Sequence, residues 1–394
     1  MRLILKIMIT AVFFFMTNAA DAFAQEGTQA PVTLKLNKPE TIKTALGVKS
    51  VLMSPDGSKV YSINLEAMSV YEFDRASRKI LRKLVFIPNP GTGFDYTRKT
   101  SIGSYQEKPV EGHFTHKGRY LWISLHNGNG VVVWDLQSGD TWREGKPFKE
   151  AWLCDVAPAD KGVDEKTKIR LLWIKTGKTP KVITSSPDGR YLFVANWHSS
   201  TVSVIAIDSD NPAEWRKVKH LATGRVPRGM VVSGDSKFLY VAQMGGSGIS
   251  VVDLATLRKV DEIRVGANPR HIVLGGGFLY VSLNAGSKIV KVDMATRKVV
   301  KIAKTGKYPR TIVLSADKKT LFVVCYKSDE LQAFATKNLS LIGSWKSALH
   351  PVGVDLFAKG GKREVWVGNY SSGTIKVFGF PVEKIVARED NNAA

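Results

Sequence analysis

The stretch PRGMVVSGDSKFLYVAQMGGSGISVVDLATLRKVDEIRV, residues 227–265, contains one full repeat of the pattern that decides the fold. Apolar and small residues alternate or run together at 239–243 and at 251–253 without the 3.6-residue period of a helix, so both segments are predicted strands. The polar residues 233–235 form a tight turn, and a further strand is predicted at 260–265. Four short strands within about forty residues are typical of one blade of a β-propeller.

The same pattern recurs along the whole chain. The aromatic residue of the second strand occurs seven times, and the last five occurrences lie 47, 40, 42 and 44 residues apart. A long β-sandwich, the alternative all-β fold, predicts no such period. The sequence therefore predicts an all-β protein, a single seven-bladed β-propeller with four antiparallel strands per blade. The aromatic positions are Tyr61, Trp122, Phe193, Tyr240, Tyr280, Phe322 and Trp366.

The first residues resemble a targeting segment rather than part of the fold. Arg2 and Lys6 precede an apolar run at 7–16, and Ala22-Phe23-Ala24 is typical of a signal-peptide cleavage site. The apolar run is shorter than the roughly 20 residues that span a bilayer. We therefore predict a signal peptide at residues 1–24 and a protein that is periplasmic or otherwise exported.

The propeller is predicted at residues 25–382, followed by a flexible tail at 383–394. The segment Val32-Thr33-Leu34-Lys35-Leu36 reads as a strand. We expect this N-terminal strand to pair with the seventh blade and close the ring, because closure removes exposed sheet edges. Two insertions interrupt the period, at 87–108 between blades one and two and at 138–168 before the outer strand of blade two.

The composition indicates a folded and strongly basic protein. The 394 residues include 57 Lys and Arg against 35 Asp and Glu, a formal net charge of +22, and 44% are hydrophobic. That apolar fraction excludes a disordered chain, and the charge favours anionic partners without choosing among them. Two cysteines, Cys154 and Cys325, exclude a disulfide framework and an all-cysteine zinc site. Either two free thiols or one long-range disulfide remains open.

The repeat resembles the YVTN-type propeller repeat, in particular that of the YncE-like exported seven-bladed propellers. The resemblance rests on the Ser54-Pro55-Asp56-Gly57 turn, the Leu192-Phe193-Val194-Ala195-Asn196 core, the Asp253-Leu254-Ala255-Thr256 turn and the Pro-Arg pairs, and it extends over residues 32–380. It implies a propeller fold strongly and a function weakly, because propellers host binding and catalysis alike. The implied activities are binding of nucleic acid or other anions, surface or protein interaction and, in more distant relatives, lactone hydrolysis or redox partnership.

A ring of cationic and aromatic side chains is predicted around the mouth of the central channel. The innermost strands start near this mouth, and five of them carry a basic residue there, four directly after a proline that fixes φ. Loops after the second strands reach the same face and carry aromatic residues. Because cations bind phosphates and rings stack with bases, the ring predicts a site for an anionic ligand or polymer such as single-stranded nucleic acid. The predicted ligand-binding residues are Lys49, Lys181, Arg228, Arg270, Arg310, Trp197, Tyr326 and Tyr370.

The same side chains have a plainer interpretation, in which they are solvated or pack between blades. Enzymatic chemistry has less support, because the sequence contains no glycine-rich phosphate loop, no nucleophile motif and no spaced metal signature. Neither a metal site nor a cofactor is predicted. A lactonase-like hydrolase needs a base near a cationic partner, and Glu111 with His113, beside Arg228 or Arg270, could supply it. Glu111 is equally interpreted as a salt-bridge partner of the basic ring.

Three functions are therefore open at this point. We expect a monomeric, exported, non-enzymatic binding protein. The alternatives are a protein-interaction scaffold of the cell envelope and a lactonase-like small-molecule hydrolase.

Overall fold

The computed structural model describes residues 33–95, 97–158 and 160–380. The predicted signal peptide at 1–24 and tail at 383–394 lie outside these residues. No helix within the described residues is long and apolar enough to cross a bilayer. Among them the helices are short 3₁₀ turns, at His116–Gly118, Trp197–Ser199 and Pro212–Glu214.

The described residues are otherwise organised in strands. The first twelve strands are β1 (Glu40–Lys43), β2 (Val48–Met53), β3 (Lys59–Asn64), β4 (Ser69–Asp74), β5 (Ile80–Phe86), β6 (Pro90–Asp95), β7 (Thr100–Tyr105), β8 (Pro109–Thr115), β9 (Tyr120–Leu125), β10 (Gly130–Asp135), β11 (Phe148–Asp155) and β12 (Glu165–Lys175).

The remaining strands follow at the repeat period. They are β13 (Pro180–Ser185), β14 (Tyr191–Asn196), β15 (Thr201–Ala206), β16 (Arg216–Ala222), β17 (Pro227–Val232), β18 (Phe238–Gln243), β19 (Gly248–Asp253), β20 (Arg258–Arg264), β21 (Pro269–Gly275), β22 (Phe278–Leu283), β23 (Lys288–Asp293), β24 (Lys298–Lys304), β25 (Pro309–Leu314), β26 (Thr320–Cys325), β27 (Glu330–Ala335), β28 (Leu341–Lys346), β29 (Pro351–Lys359), β30 (Lys362–Asn369) and β31 (Thr374–Gly379).

Most of these strands form four-stranded antiparallel sheets, which confirms the all-β prediction. Consecutive strands pair in the sheets β13–β16, β17–β20, β21–β24 and β25–β28. A fifth sheet has the order β1-β31-β30-β29. We call the strand that opens each repeat its first strand. These first strands contact one another in chain order, from β2 to β8, β13, β17, β21, β25 and β29, and β29 contacts β2.

The hydrophobic core lies between successive sheets. One cluster joins Phe193 and Val204 to Leu239 and Val241 of the next sheet, and equivalent clusters fill the neighbouring interfaces. All seven aromatic residues of the repeat are buried. The side chains that mark the period are therefore those that hold one sheet against the next.

Polar turns set the register of the strands, as the sequence indicates. Ser54 Oγ donates to Asp56 Oδ1 at 2.5 Å, and Gly57 follows with a φ of +75°. A Cβ atom at Gly57 would lie 2.7 Å from the ring of Phe357, so this position requires glycine. In the second turn type, Asp253 Oδ1 accepts hydrogen bonds from the backbone N–H and the hydroxyl of Thr256, both at 2.7 Å.

The N-terminal strand differs from the prediction. Residues 33–36 lie in no strand, and β1 supplies the pairing with β31, in which Ile42 faces Ile375. Ile42 packs in the cluster that contains Val48 and Trp366. The prediction of a pairing strand from the apolar alternation at 32–36 is therefore wrong. The segment that pairs with β31 ends four residues before β2, and Ile42 is its one buried side chain.

One of the two insertions joins two sheets that the sequence separates. Strand β11, from the insertion at 138–168, pairs with both β5 and β12, so that β2–β5 and β8–β12 form one nine-stranded sheet. The insertion at 87–108 forms the two-stranded sheet of β6 and β7. Cys154 lies on β11 half-buried and Cys325 is buried, and both thiols are free.

A buried carboxylate reinforces the nine-stranded sheet. Glu72 accepts hydrogen bonds from Tyr61 Oη at 2.9 Å and from Arg82 at 2.6 Å, and it pairs with Lys59 at 2.8 Å. Arg82 also donates to the carbonyl of Leu136 at 3.1 Å and lies 5.0 Å from the ring centroid of Trp134. Glu72 thus orients an arginine that connects the strands on either side of the junction.

We predict that Glu72→Ala lowers the free energy of unfolding by about 3 kcal/mol, because it leaves a largely buried arginine without its counter-charge. Urea denaturation followed by circular dichroism measures this value. The exposed Glu144→Ala is the matched control, with an expected change within about 0.5 kcal/mol. Equal effects of the two substitutions would contradict the role given to Glu72.

Candidate functional site

The five predicted basic residues occupy the same structural position in five first strands. Each is the second residue of its strand, in β2, β13, β17, β21 and β25. Each also lies within a shift of register between the first and second strands, for example between Pro227 and Met230. A bulge of this kind re-aims a side chain. The sequence pattern predicts the basic residues but not the bulges.

The residue before each of these strands has a positive φ. The angle is +58° at Thr179 and +52° at Val226, and the equivalent positions Gly47, Asn268 and Tyr308 share the left-handed conformation. This conformation is unfavourable for β-branched residues such as Thr and Val. Strain of this kind is maintained only where the surrounding structure imposes it, which is common at functional sites.

All eight predicted ligand-binding residues line one cavity of about 670 Å³. That volume lies in the range of small-molecule sites, roughly 300–1,000 Å³. Phe94, Ile102 and Ser104 of the β6–β7 hairpin also line it, together with Glu66, Lys108 and His126. The sequence predicts that this insertion, with Phe94, lies on the same face as the ring, but it does not single out Ile102 or Ser104.

Each aromatic residue of the ring lies against a cation of the ring. Lys49 Nζ is 4.0 Å from the ring centroid of Tyr370, and Lys181 Nζ is 4.4 Å from that of Trp197. The guanidinium of Arg310 is 3.6 Å from the centroid of Tyr326, whose ring also stacks on His350 at 4.3 Å. Cation–π contacts of this kind hold the cations in place, and they use ring surface that a stacked base would need.

Carboxylates neutralise only part of this charge. Glu111 accepts a hydrogen bond from Arg228 at 3.0 Å and from Ser50 Oγ at 3.1 Å. At the rim, Glu66 accepts from Tyr370 Oη and pairs with Lys108 at 3.1 Å. For the other four ring cations, Lys49, Lys181, Arg270 and Arg310, the described part of the chain provides no ion pair with a carboxylate.

Burial and mutual repulsion lower the pKa values of basic residues in the ring. Burial, followed by repulsion from Arg310, Arg228 and Arg270, lowers the pKa of Lys49 to about 7. Burial and Arg228 likewise lower the pKa of Lys181 and of Arg270 well below their ordinary values. Burial lowers the pKa of Arg310 to about 10. The charged state of the ring is therefore unfavourable until a negative group enters the cavity.

One donor in the ring has no hydrogen-bond partner among the described residues. The Nε of Arg310 is buried, and none of the described acceptors is within hydrogen-bonding distance. Among the described residues, Arg270 donates only to a weak acceptor, the sulfur of Met244 at 3.5 Å. A buried donor left in this state costs free energy, which a bound anion would recover.

Glu111 and His113, the predicted catalytic pair, are not among the described residues that line the cavity. Glu111 is held in the ion pair with Arg228. His113 Nε2 is within 2.9 Å of Ser185 Oγ, and burial lowers the pKa of His113 to about 4. The two side chains thus have separate partners in the described structure. Within the described residues no group of three or more His, Cys, Asp or Glu side chains is arranged to hold a metal ion.

Comparison with known proteins agrees with this architecture. The sequence model described as "YNCE-like beta-propeller" matches residues 162–320. No curated protein sequence matches the chain. A chain of Kuenenia stuttgartiensis hydrazine synthase is 18% identical with a TM-score of 0.63, over 91% of this chain and 99% of that one.

The β-propeller domain of Myceliophteria thermophila Cps50 (Swd1) is 13% identical, again with a TM-score of 0.63, over 88% of this chain and 100% of that one. At these identities the two structures show a shared fold and nothing of a shared function. The sequence model confirms the resemblance to YncE-like β-propellers over residues 162–320, and the structural neighbours agree with the β-propeller fold.

Proposed function

We propose that the chain is a non-enzymatic binding protein that holds an anionic ligand in the cavity of the basic ring. Lys49, Lys181, Arg228, Arg270 and Arg310 would bind the acidic groups, with Trp197, Tyr326 and Tyr370 positioning the cations. The observation that carries this proposal is that five cations from five strands line one cavity, four of them without a carboxylate partner among the described residues.

In the plainer interpretation the basic residues of the ring are solvated surface charges, but their burial argues against it. Lys181 is 5% exposed and Arg270 is 6% exposed. Lysine and arginine are rarely buried to this degree unless they are paired. A ligand with two or more negative charges would supply the missing partners, and the cavity volume of about 670 Å³ favours a compact ligand or the end of a polymer.

We further infer that the sheets are the blades of one seven-bladed propeller, with β1 as the closing strand of the seventh blade. The contacts between successive first strands, from β2 to β29 and back to β2, support this arrangement. The basic start, apolar run and Ala22-Phe23-Ala24 of residues 1–24 support export.

Single-stranded nucleic acid is the second candidate, because the ring combines cations with aromatic side chains. Phosphates would bind the cations as proposed for a compact anion. The bases would need ring faces, and Tyr326 already contacts both Arg310 and His350. The geometry therefore favours the compact anion over the stacked strand.

We predict that the double variant Arg270→Ala/Arg310→Ala weakens pyrophosphate binding by about 100-fold or more, since each charge-assisted hydrogen bond contributes roughly 1.5–3 kcal/mol. Calorimetry at physiological salt measures the affinity. Because the variant removes repulsion between buried charges, we expect its unfolding temperature to stay equal or to rise.

The matched control removes the same charge outside the cavity. Arg258 on β20 and Lys298 on β24 are exposed, and Arg258→Ala/Lys298→Ala should bind pyrophosphate as the unmodified protein does. If both variants lost the same affinity for pyrophosphate, binding would depend on net charge and not on the cavity. A labelled single-stranded oligonucleotide that binds at physiological salt, while pyrophosphate does not, would favour nucleic acid instead.

We predict that sulfate binding weakens several-fold between pH 6 and pH 8.5. Lys49 is protonated at pH 6 and loses its charge as the pH rises through about 7, whereas sulfate keeps two charges over this range. Arg310, Arg228, Arg270 and Glu111 act electrostatically on Lys49, and Lys181, whose pKa is also lowered, lines the same cavity. Lys49→Arg should therefore remove most of the pH dependence, and an unchanged profile in this variant would assign the titration to another group.

A further inference from the structure

We propose that Lys49 is a carbonyl-reactive amine that forms an imine with an aldehyde or ketone that also carries a carboxylate or phosphate. The inference rests on the proposed function, because the arginines of the same cavity would hold the acidic group. It goes further in assigning a covalent reaction to one side chain and a chemical class to its substrate.

The position of Lys49 distinguishes it from the other lysines of the cavity. Lys108 is paired with Glu66 at 3.1 Å, and the amine of Lys181 is hydrogen-bonded to His126 Nδ1. Lys49 Nζ has neither an ion pair nor a hydrogen bond among the described residues, and it lies 4.0 Å from the ring centroid of Tyr370. Of these three amines, Lys49 is the one that no described polar group engages.

The surroundings favour the neutral form that nucleophilic attack requires. A lysine becomes reactive at neutral pH when it is desolvated or placed beside other cations. Lys49 satisfies both conditions, since burial and then three arginines lower its pKa to about 7. About half of the amine is therefore neutral at pH 7, whereas an ordinary lysine is almost wholly protonated.

The arginines that repel the ammonium form would also attract the substrate. Arg228, Arg270 and Arg310 line the same cavity as Lys49. A carboxylate or phosphate bound to them would bring an attached carbonyl group within the same space as Nζ. Holding two reactants together in this way raises the rate of their reaction strongly.

The reaction needs no further reagent. The lone pair of neutral Nζ attacks the carbonyl carbon, and the π electron pair of the C=O bond moves to oxygen. The nitrogen loses a proton and the oxygen gains one, which gives a carbinolamine. Loss of the hydroxyl group with a second proton from nitrogen forms the C=N bond and one water molecule. No atom is oxidised or reduced, and hydrolysis reverses the sequence.

Pyridoxal 5′-phosphate is a suitable probe, because it joins an aldehyde to a phosphate. The full protein is incubated with a limiting amount at pH 7.5, the imine is reduced with borohydride, and peptide mass spectrometry locates the adduct. We expect Lys49 to be modified about tenfold faster than any other lysine. Pyridoxine 5′-phosphate, which has an alcohol in place of the aldehyde, should protect it.

Two variants control the assignment. Lys49→Arg keeps the positive charge and should lose the preferred adduct, whereas Lys298→Arg, an exposed lysine on β24, should leave labelling at Lys49 unchanged. Labelling spread over exposed lysines without preference for Lys49 would overturn the proposal. Preferred labelling at Lys181 would overturn it as well.

Calorimetry with pyridoxine 5′-phosphate separates this proposal from the function on which it rests. If that alcohol binds and loses affinity in Arg270→Ala/Arg310→Ala, while Lys49 is not labelled, the imine is excluded and the anion site stands. If the alcohol does not bind and Lys49 is not labelled, both proposals fail.

Discussion

The packing of each sheet against the next is the constraint on which the rest of the structure depends. Large side chains of the second strands, such as Phe193 and Trp366, are fully buried between sheets, and their burial provides the main favourable free energy of folding. Sheets that pack face to face in succession bring their first strands together. The starts of β2, β8, β13, β17, β21 and β25 therefore line one cavity, whatever residue the sequence puts there.

Five cations this close together would repel one another and destabilise the fold unless their charge were balanced. Glu111 balances part of it through Arg228, and the rings of Tyr370, Trp197 and Tyr326 offer polarisable surfaces to the rest. The lowered pKa values of the lysines and arginines show that this is incomplete. The proposed anion binding and the proposed reactivity of Lys49 both follow from this excess of positive charge. A bound anion would neutralise part of the charge, and a neutral Lys49 amine lowers it.

Much of this could be predicted from the sequence, because a repeat gives equivalent residues equivalent positions. The repeat period predicts which aromatic residues are buried. The basic residue after Pro227 likewise predicts equivalent basic residues after Pro269 and Pro309. Features outside the repeat could not be found in this way. Strand β11 and the β6–β7 hairpin come from insertions, and β1 has only Ile42 to mark it. The bulges at the strand starts leave no distinctive residue pattern. Glu111 could be interpreted from the sequence as a salt-bridge partner of the ring, and it pairs with Arg228, which is 117 residues away.

Diffraction from crystals soaked in selenate would test the central claim, that the basic ring is an anion site, most directly. Selenate is a doubly charged tetrahedral anion whose anomalous scattering reveals its position without prior assumptions. If the ring binds anions, the strongest anomalous peak will lie inside the cavity, within hydrogen-bonding distance of the guanidinium groups of Arg228, Arg270 or Arg310. Peaks confined to the outer surface, with the cavity free of selenate, would contradict it.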